Sequence, residues 1–289
     1  MPTIVQAALL GVVQGLTEFL PVSSSAHLTL GRAFFGWNAD QFGLAFDVAC
    51  HVGTLIAVMV YFRPEISSMV VALPRLFHAG PAQAGLPEDR RAARSGHYRV
   101  GNQGARLIWL LVVATVPAVI VGLLFGHLIE DRLRTPPVAA VTLAAGALGL
   151  VLAERSGDQT RSDISLTMVE AFWLGCAQAL ALVPGVSRSG ATLTLALLIG
   201  LQRAEAARFI FLLSIPAILA AAANALPKLI KAGMAGDTAP LFFVAVASSA
   251  IVSYATVKYF IRYLSDHSLN VFAWYRLALA GAVAIWLVR

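Results

Sequence analysis

A proline and three serines interrupt the first apolar segment of the chain, in the sequence Gln14-Gly15-Leu16-Thr17-Glu18-Phe19-Leu20-Pro21-Val22-Ser23-Ser24-Ser25-Ala26-His27. Proline ends an α-helix because it lacks an N–H and clashes with the preceding turn, whereas serine is a good N-cap for a new helix. The apolar piece that follows, 26–35, is too short to cross the ~30 Å of hydrocarbon in a bilayer. The pattern therefore predicts a re-entrant helical hairpin over 4–36, with its non-helical tip buried at membrane depth.

A second hairpin of the same kind is predicted over 166–200, where an apolar run is broken by Pro184-Gly185-Val186-Ser187-Arg188-Ser189-Gly190. A constant offset of 164 residues relates the two segments. It matches the pairs Gly11 and Gly175, Gln14 and Gln178, Ser23 and Ser187, and Ser25 and Ser189. Two unrelated apolar helices can share leucines and valines by chance, but not glutamine and serine in register. The match therefore predicts an internal repeat.

The composition excludes a soluble globular protein. Of 289 residues, 58% are hydrophobic and 12% charged, whereas soluble domains hold about 45–50% apolar and ~25% charged residues. Period-two alternation, which a membrane β-barrel needs, is absent. The fold class is therefore predicted to be an all-α polytopic membrane protein. Six spanning helices are expected at 42–62, 107–126, 136–153, 209–226, 241–260 and 270–288.

Counting the spans predicts an inverted topology. A re-entrant hairpin returns to its own side, and three spans separate the two hairpins, so the second hairpin enters from the opposite face. Two inverted repeats, 1–153 and 154–289, are then expected within one membrane domain, each with one hairpin and three spans. In such architectures the broken helices form a site near the bilayer midplane.

The net charge of +6 is assigned to loops rather than to nucleic-acid binding. Lys and Arg concentrate on one predicted side, above all in the polar interval 78–106, which is expected to be a loop. The positive-inside rule makes that side cytoplasmic, so both termini and the opening of the first hairpin are predicted to lie outside. The first 31 residues contain no Lys or Arg, so the first segment is expected to be retained. Cys50 and Cys176 lie in apolar runs and predict neither a disulfide nor a metal site.

The first hairpin carries a candidate acid–base group. Gln14 and Glu18 share one helix face, and a carboxylate in a membrane helix costs ~2.5–3.5 kcal/mol. The serines at 23–25 and His27 add hydroxyls and an imidazole, as in a nucleophile with a nearby base. Structural alternatives exist: a protonated Glu18 bonded to another helix, serines that only cap, and a hydrogen-bonded core histidine.

The second hairpin carries a candidate anion site. Arg188 offers a planar fork suited to phosphate oxygens, and the half-helix that follows offers free N–H donors. The alternative, an ion pair between Arg188 and Glu18 that joins the hairpins, is compatible with anion binding. The combined pocket suits a polyanion with a divalent cation such as Mg²⁺ or Ca²⁺, which prefer oxygen ligands. No His and Cys spacing indicates zinc.

The two quoted sequences, the second extended to Ala191-Thr192, resemble the two signatures of the bacterial undecaprenyl-diphosphate phosphatases of the bacitracin-resistance type. The resemblance covers the whole chain in length and span order. It implies catalytic roles for Glu18, Ser24, His27 and Arg188, and metal ligation by Glu18 and Gln14. The substrate-binding positions that it implies are Ser23, Ser25, Ser187, Ser189, Gly190 and Thr192. Gln14 departs from the glutamate of many members, so it cannot be a second anionic ligand.

The resemblance implies hydrolysis of undecaprenyl diphosphate to the lipid monophosphate and phosphate, at the outer face of the plasma membrane. It further implies carrier recycling for cell-wall synthesis, bacitracin resistance, dependence on a divalent cation, and a homodimer. Ser24 would attack or orient a water, while His27 and Glu18 handle protons. Two alternatives use the same pocket without chemistry: a secondary transporter for an anionic substrate and a lipid flippase.

Asp47 and His51, four residues apart, share one face of the first predicted span. They are expected either to line the pocket entrance or to pair with Arg276, which lies at membrane depth. The first alternative gives them a functional role and the second a structural one.

Overall fold

The computed structural model describes residues 3–37, 43–76, 102–231 and 239–288, and within these ranges the chain is almost entirely α-helical. The helices are α1 (Ile4–Thr17), α2 (Ser24–Phe35), α3 (Leu44–Tyr61), α4 (Arg63–Leu76), α5 (Asn102–Leu128), α6 (Pro136–Ser156), α7 (Met168–Leu180), α8 (Arg188–Leu198), α9 (Arg203–Lys231), α10 (Ala239–Asp266) and α11 (Asn270–Val288). No strand is formed by the described residues, so the predicted all-α class is confirmed.

Five of these helices, α5, α6, α9, α10 and α11, are long and apolar enough to cross a membrane, as far as the described ranges extend. The number is six if α3 and α4, which meet at a bend of 80°, form one span. Large apolar side chains point outward from them; Leu123, Phe243 and Ile251 are each more than two-thirds exposed. Lipid rather than water suits such a surface, so the protein is a multi-pass membrane protein.

Two sequence expectations about the intervening segments are wrong or incomplete. The first predicted span, 42–62, falls on α3, but the helical chain extends beyond it: it bends after Tyr61 and continues as α4, whose Glu65 pairs with Arg208 of α9 at 2.7 Å. The interval 78–106 was expected to be a loop, but α5 already begins at Asn102. Arg106 stabilises this start by donating to the carbonyl groups of Ile164 and Leu166. Residues 78–101 lie outside the described ranges.

The two hairpins break where the prolines and serines predict. The first has its break between α1 and α2 and the second between α7 and α8. Ser23 and Ser187 cap the second helix of each hairpin by accepting hydrogen bonds from the N–H groups three residues later. Both adopt positive φ angles, 73° and 72°, which are rare for residues with a side chain. The segments Leu20–Val22 and Pro184–Val186, which precede these caps, are called the first and second elbow below.

Each hairpin packs on a span from the other half of the chain: α1 lies on α10, and α7 lies on α5. Glycines permit the close approach. A Cβ at Gly11 would lie 2.6 Å from the carbonyl oxygen of Ala245, and one at Gly175 would overlap the carbonyl oxygen of Ala114. Small residues at such contacts are typical of membrane helix packing, where close backbones supply van der Waals attraction. This packing brings the two elbows together.

Candidate active site

A buried carboxylate, Glu18, lies at the centre of the site, just after the last residue of α1. One of its oxygens pairs with Arg188 of the other hairpin. The other accepts hydrogen bonds from Gln14 Nε2 at 2.7 Å and from Ser24 Oγ at 2.6 Å. Since a buried charge is costly without partners, these three donors account for an ionised carboxylate at this depth. Four of the residues singled out in the sequence thus meet at one point.

The two half-helices present their N-termini to this point. Ser24 is the first residue of α2, and Arg188 is the first residue of α8. The first N–H groups of an α-helix have no partner within the helix and carry a partial positive charge. Beside each of these residues, two serine hydroxyls lie 3.2 Å apart: Ser23 with Ser25, and Ser187 with Ser189. The arrangement is suited to an anion with several oxygens.

A cavity of about 410 Å³ opens beside Glu18 and has two unlike ends. Its polar end is lined by Glu18, Ser23, Ser24, Ser25, His51, Ser187 and Arg188. Its apolar wall comes from α5 and α9 and includes Ala118, Val119, Gly122, Ala217, Ile218 and Ala221. A molecule with an anionic head and a hydrocarbon tail matches both ends.

Three predicted substrate-binding residues do not line this cavity. Ser189 Oγ donates to the carbonyl oxygen of Leu20 in the first elbow at 2.9 Å, so it joins the two hairpins. Thr192 Oγ1 donates to the carbonyl oxygen of Arg188 at 2.6 Å within its own helix. Gly190 leaves room for a guanidinium, because a Cβ there would lie 2.6 Å from Arg276 Nη1. In this structure all three shape the second hairpin.

The structure separates His27 from the carboxylate and brings another histidine to it. His27 Nδ1 donates to the carbonyl oxygen of Ser23 at 2.7 Å, and its Nε2 lies 2.7 Å from the Tyr275 hydroxyl, against whose ring the imidazole stacks. His51 Nε2 lies 3.4 Å from a Glu18 oxygen, and His51 lines the cavity. Sequence reasoning gave His51 no firm role. Its position four residues after Asp47, on one face of an apolar helix, was the available signal.

Of the two alternatives predicted for Asp47 and His51, lining the pocket holds for His51, and pairing with Arg276 is wrong for both. Asp47 instead forms ion pairs with Arg32 of α2 and with Arg134 at 3.4 Å. Arg276 donates only to backbone carbonyl groups among the described residues. Asp47 and His51 do share one face of α3. Which partner each side chain meets depends on how the other helices pack against that face.

Comparison with known proteins identifies the family of the chain. The family of the bacitracin resistance protein BacA matches residues 7–282. The chain belongs to this family. A protein of Rubrobacter xylanophilus named undecaprenyl-diphosphatase is 44% identical over the full length of both chains. One of Alteromonas mediterranea with the same name is 40% identical over 99% of both chains. An undecaprenyl-diphosphatase 2 of Stutzerimonas stutzeri is 43% identical over 98% of this chain and 97% of its own. The resemblance stated from the two motifs is confirmed.

The donor set of this BacA-family chain can be tested for the divalent cation that the resemblance implies. No three His, Cys, Asp or Glu side chains come together as a ready-made metal cluster within the described ranges. The oxygen donors present are the Glu18 carboxylate, the Ser24 hydroxyl and the buried Gln14 Oε1, which has no hydrogen-bond partner. Mg²⁺ is commonly held by one or two carboxylates with substrate phosphates and water. The site therefore fits a cation that takes most of its ligands from a bound diphosphate.

Proposed function

We propose that this protein is an undecaprenyl-diphosphatase, which hydrolyses undecaprenyl diphosphate to undecaprenyl phosphate and inorganic phosphate. One observation carries the proposal: the cluster of Glu18, Ser24 and Arg188 lies at the polar end of a cavity whose other wall is apolar. The name shared by relatives over the full length of the chain supports the same activity. The diphosphate would bind at the polar end, and the first isoprene units would lie along α5 and α9.

Substrate binding would rearrange the pair formed by Glu18 and Arg188. Arg188 and the N-terminus of α8 bind the phosphate oxygens, since positioning and charge stabilisation are the main contributions in phosphoryl transfer. Glu18, released from the arginine, keeps its hydrogen bond from Ser24 and accepts the proton as the nucleophile attacks. The nucleophile is Ser24 itself or a water oriented by it. A bond forms to the terminal phosphorus, the bond from that phosphorus to the bridging oxygen breaks, and the lipid monophosphate leaves. If water attacks, this step releases inorganic phosphate directly. If Ser24 attacks, the phosphoryl group is first carried on its Oγ, and a water then breaks that P–O bond, which releases phosphate and restores the hydroxyl.

A divalent cation, Mg²⁺ or Ca²⁺, is part of the proposal. Glu18, with Gln14 Oε1 and the Ser24 hydroxyl nearby, would hold it beside the diphosphate. When bound, such an ion neutralises charge on the phosphate oxygens. Gln14 meanwhile orients Glu18 through its amide N–H, which is a role that a glutamate at this position could not perform when ionised.

The proposal includes two inverted repeats, 1–153 and 154–289, with a site that opens to the outer face of the plasma membrane. Equivalent features in the two halves support the repeats. Ser23 and Ser187 are N-caps with the same unusual φ, and Gly11 and Gly175 mediate the packing of α1 on α10 and of α7 on α5. The distribution of Lys and Arg supports the orientation. A homodimer, carrier recycling and bacitracin resistance stay predictions from the resemblance.

A secondary transporter or lipid flippase is the second candidate, because paired broken helices are a common transporter plan. Release of phosphate separates the two. A transporter leaves its substrate chemically unchanged and depends on a gradient or on transbilayer distribution, whereas a phosphatase in detergent micelles needs neither.

The deciding experiment is an assay of phosphate release from a polyprenyl diphosphate by the purified protein in detergent. We expect turnover that EDTA abolishes and that excess Mg²⁺ or Ca²⁺ restores. Arg188→Ala should reduce it by at least about a hundredfold, because a charge-stabilising donor is lost. The matched control is Arg208→Ala, which removes an arginine from an ion pair outside the cavity and should keep turnover near that of wild type. Absence of phosphate release from folded wild-type protein would refute the proposal.

A further inference from the structure

The elbows of the two hairpins share one side chain, Arg276 of α11. It is completely buried and donates to the carbonyl oxygen of Pro21 at 3.2 Å in the first elbow. In the second elbow it donates to those of Gly185 and Val186 at 3.1 and 3.0 Å. The carbonyl groups of Thr142 and Leu143 in α6, both at 3.1 Å, complete its contacts. One guanidinium thus links both elbows to the packed pair of α6 and α11.

The chemistry of an elbow explains why such a link is required. The carbonyl groups of Pro21, Gly185 and Val186 lie in the non-helical backbone of the elbows, and a buried carbonyl without a donor is costly in a bilayer. Arginine offers five N–H donors in a fixed planar fork, so it can satisfy several carbonyl groups at once and fix their relative positions. No carboxylate pairs with Arg276 within the described ranges, so its whole donor set is directed at backbone.

Two glycines leave space for the guanidinium. A Cβ at Gly146 of α6 would overlap Arg276 Nη2 and lie 2.6 Å from its Cζ, and one at Gly190 would lie 2.6 Å from Nη1. Gly149, one turn further along α6, is different, since an added Cβ would meet Thr194 Cγ2 at an ordinary 3.4 Å. Gly146 does not line the cavity, and the three atoms nearest to an added Cβ there all belong to Arg276.

We propose that Arg276 is a positioning residue for the proposed hydrolysis: it holds the two elbows in the register that brings Glu18 of the first hairpin to Arg188 of the second. The inference rests on the proposed function. Ser24 and Glu18 belong to one hairpin and Arg188 to the other, so a shift of one elbow changes the distance between the nucleophile and the bound phosphate. Arg276 does not line the cavity and acts only through the elbows.

Gly146→Ala is the sharpest test, because its added methyl displaces the guanidinium without changing any group of the site. We expect kcat per folded molecule to fall by about tenfold, since a misplacement of ~1 Å can cost up to a hundredfold, while KM changes less than about twofold because the phosphate-binding groups remain. Arg276→Met should lose at least as much. In the Arg276→Met background, Gly146→Ala should cause no further loss, because the group that it displaces is gone.

Two controls separate positioning from general stability. Gly149→Ala adds a methyl to the same helix without meeting Arg276 and should keep wild-type kcat. Arg106→Met removes an arginine that binds two backbone carbonyl groups far from the cavity and should lower the melting temperature while keeping kcat per folded molecule. Folded Gly146→Ala enzyme with wild-type kcat would overturn the inference alone, even if Arg276→Met does not fold. Wild-type enzyme that releases no phosphate would refute the proposed function and, with it, this inference.

Discussion

At the scale of single residues, the site is built around one carboxylate that is fully engaged by donors. Glu18 accepts from Gln14, Ser24 and Arg188, and His51 lies within 3.4 Å. The equivalent position in the other half, at the offset of 164 residues, is Leu182. The two hairpins are similarly broken and capped, but only the first carries the acid and only the second carries the arginine. Each half is chemically incomplete without the other.

Replacing Glu18 with glutamine should reduce turnover by at least about a hundredfold, within the range of general acid–base catalysis. The amide cannot accept a proton from Ser24, and it leaves Arg188 without a charged partner. Phosphate release by the purified variant measures the effect. Glu65→Gln is the matched control, since Glu65 also pairs with an arginine but lies outside the cavity. Turnover of Glu18→Gln comparable with that of the control would contradict the role assigned to Glu18.

At the scale of helices, packing of each hairpin on a span of the opposite half determines where the elbows lie. The contact of α7 with α5 depends on Gly175, whose missing side chain admits the backbone of Ala114 and the ring of Pro117. The contact of α1 with α10 depends on Gly11 in the same manner. An added methyl group at either glycine would meet a backbone carbonyl oxygen of the neighbouring helix. A change of side-chain rotamer cannot relieve such a contact.

Gly175→Ala should destabilise the protein by about 1–3 kcal/mol, the usual cost of overpacking a tight contact. Thermal unfolding in detergent, followed by tryptophan fluorescence, measures the change. The control is Gly281→Ala in α11, where an added methyl meets nothing within 4 Å. Equal melting temperatures for the two variants would show that α7 does not pack on α5 as described.

At the scale of the whole molecule, the structure combines the polar cluster of Glu18, Ser24 and Arg188 with a hydrocarbon-facing surface in one membrane domain. The apolar wall of the cavity is formed by α5 and α9, which also count among the candidate spans. Under the proposed function, the lipid substrate keeps its tail in an apolar environment while its head reaches Arg188. The orientation of this domain in the membrane decides which leaflet supplies the substrate.

Cysteine labelling in intact cells tests the predicted orientation. Asp131 and Asp158 are exposed and lie at opposite ends of α6, so single cysteines at these positions report on opposite sides of the membrane. In a background with Cys50 and Cys176 replaced by alanine, a membrane-impermeant maleimide should label Asp131→Cys in intact cells and Asp158→Cys only after lysis. The reverse pattern would mean that the first hairpin opens to the cytoplasm.

The sequence by itself determined the helical class, the apolar segments and the two breaks, because these depend on local chemistry. A proline ends a helix and a serine begins one wherever they occur, so Pro21, Ser23, Pro184 and Ser187 were sufficient to predict both hairpins. Charged residues in apolar segments indicated Glu18 and Arg188, and the family motif added the role of Ser24; the structure brings the three together.

Only the tertiary structure decided how each helix is rotated about its axis and which groups therefore meet. In the structure His51, rather than His27, lies beside Glu18. Ser189 and Thr192 donate to backbone carbonyl groups of the hairpins instead of lining the cavity. Arg276 donates to backbone carbonyl groups and does not pair with Asp47. The physical reason is that such contacts join residues distant in the chain. They depend on close packing at positions such as Gly146 and Gly175, where the absence of a side chain matters only once a particular neighbour lies against it.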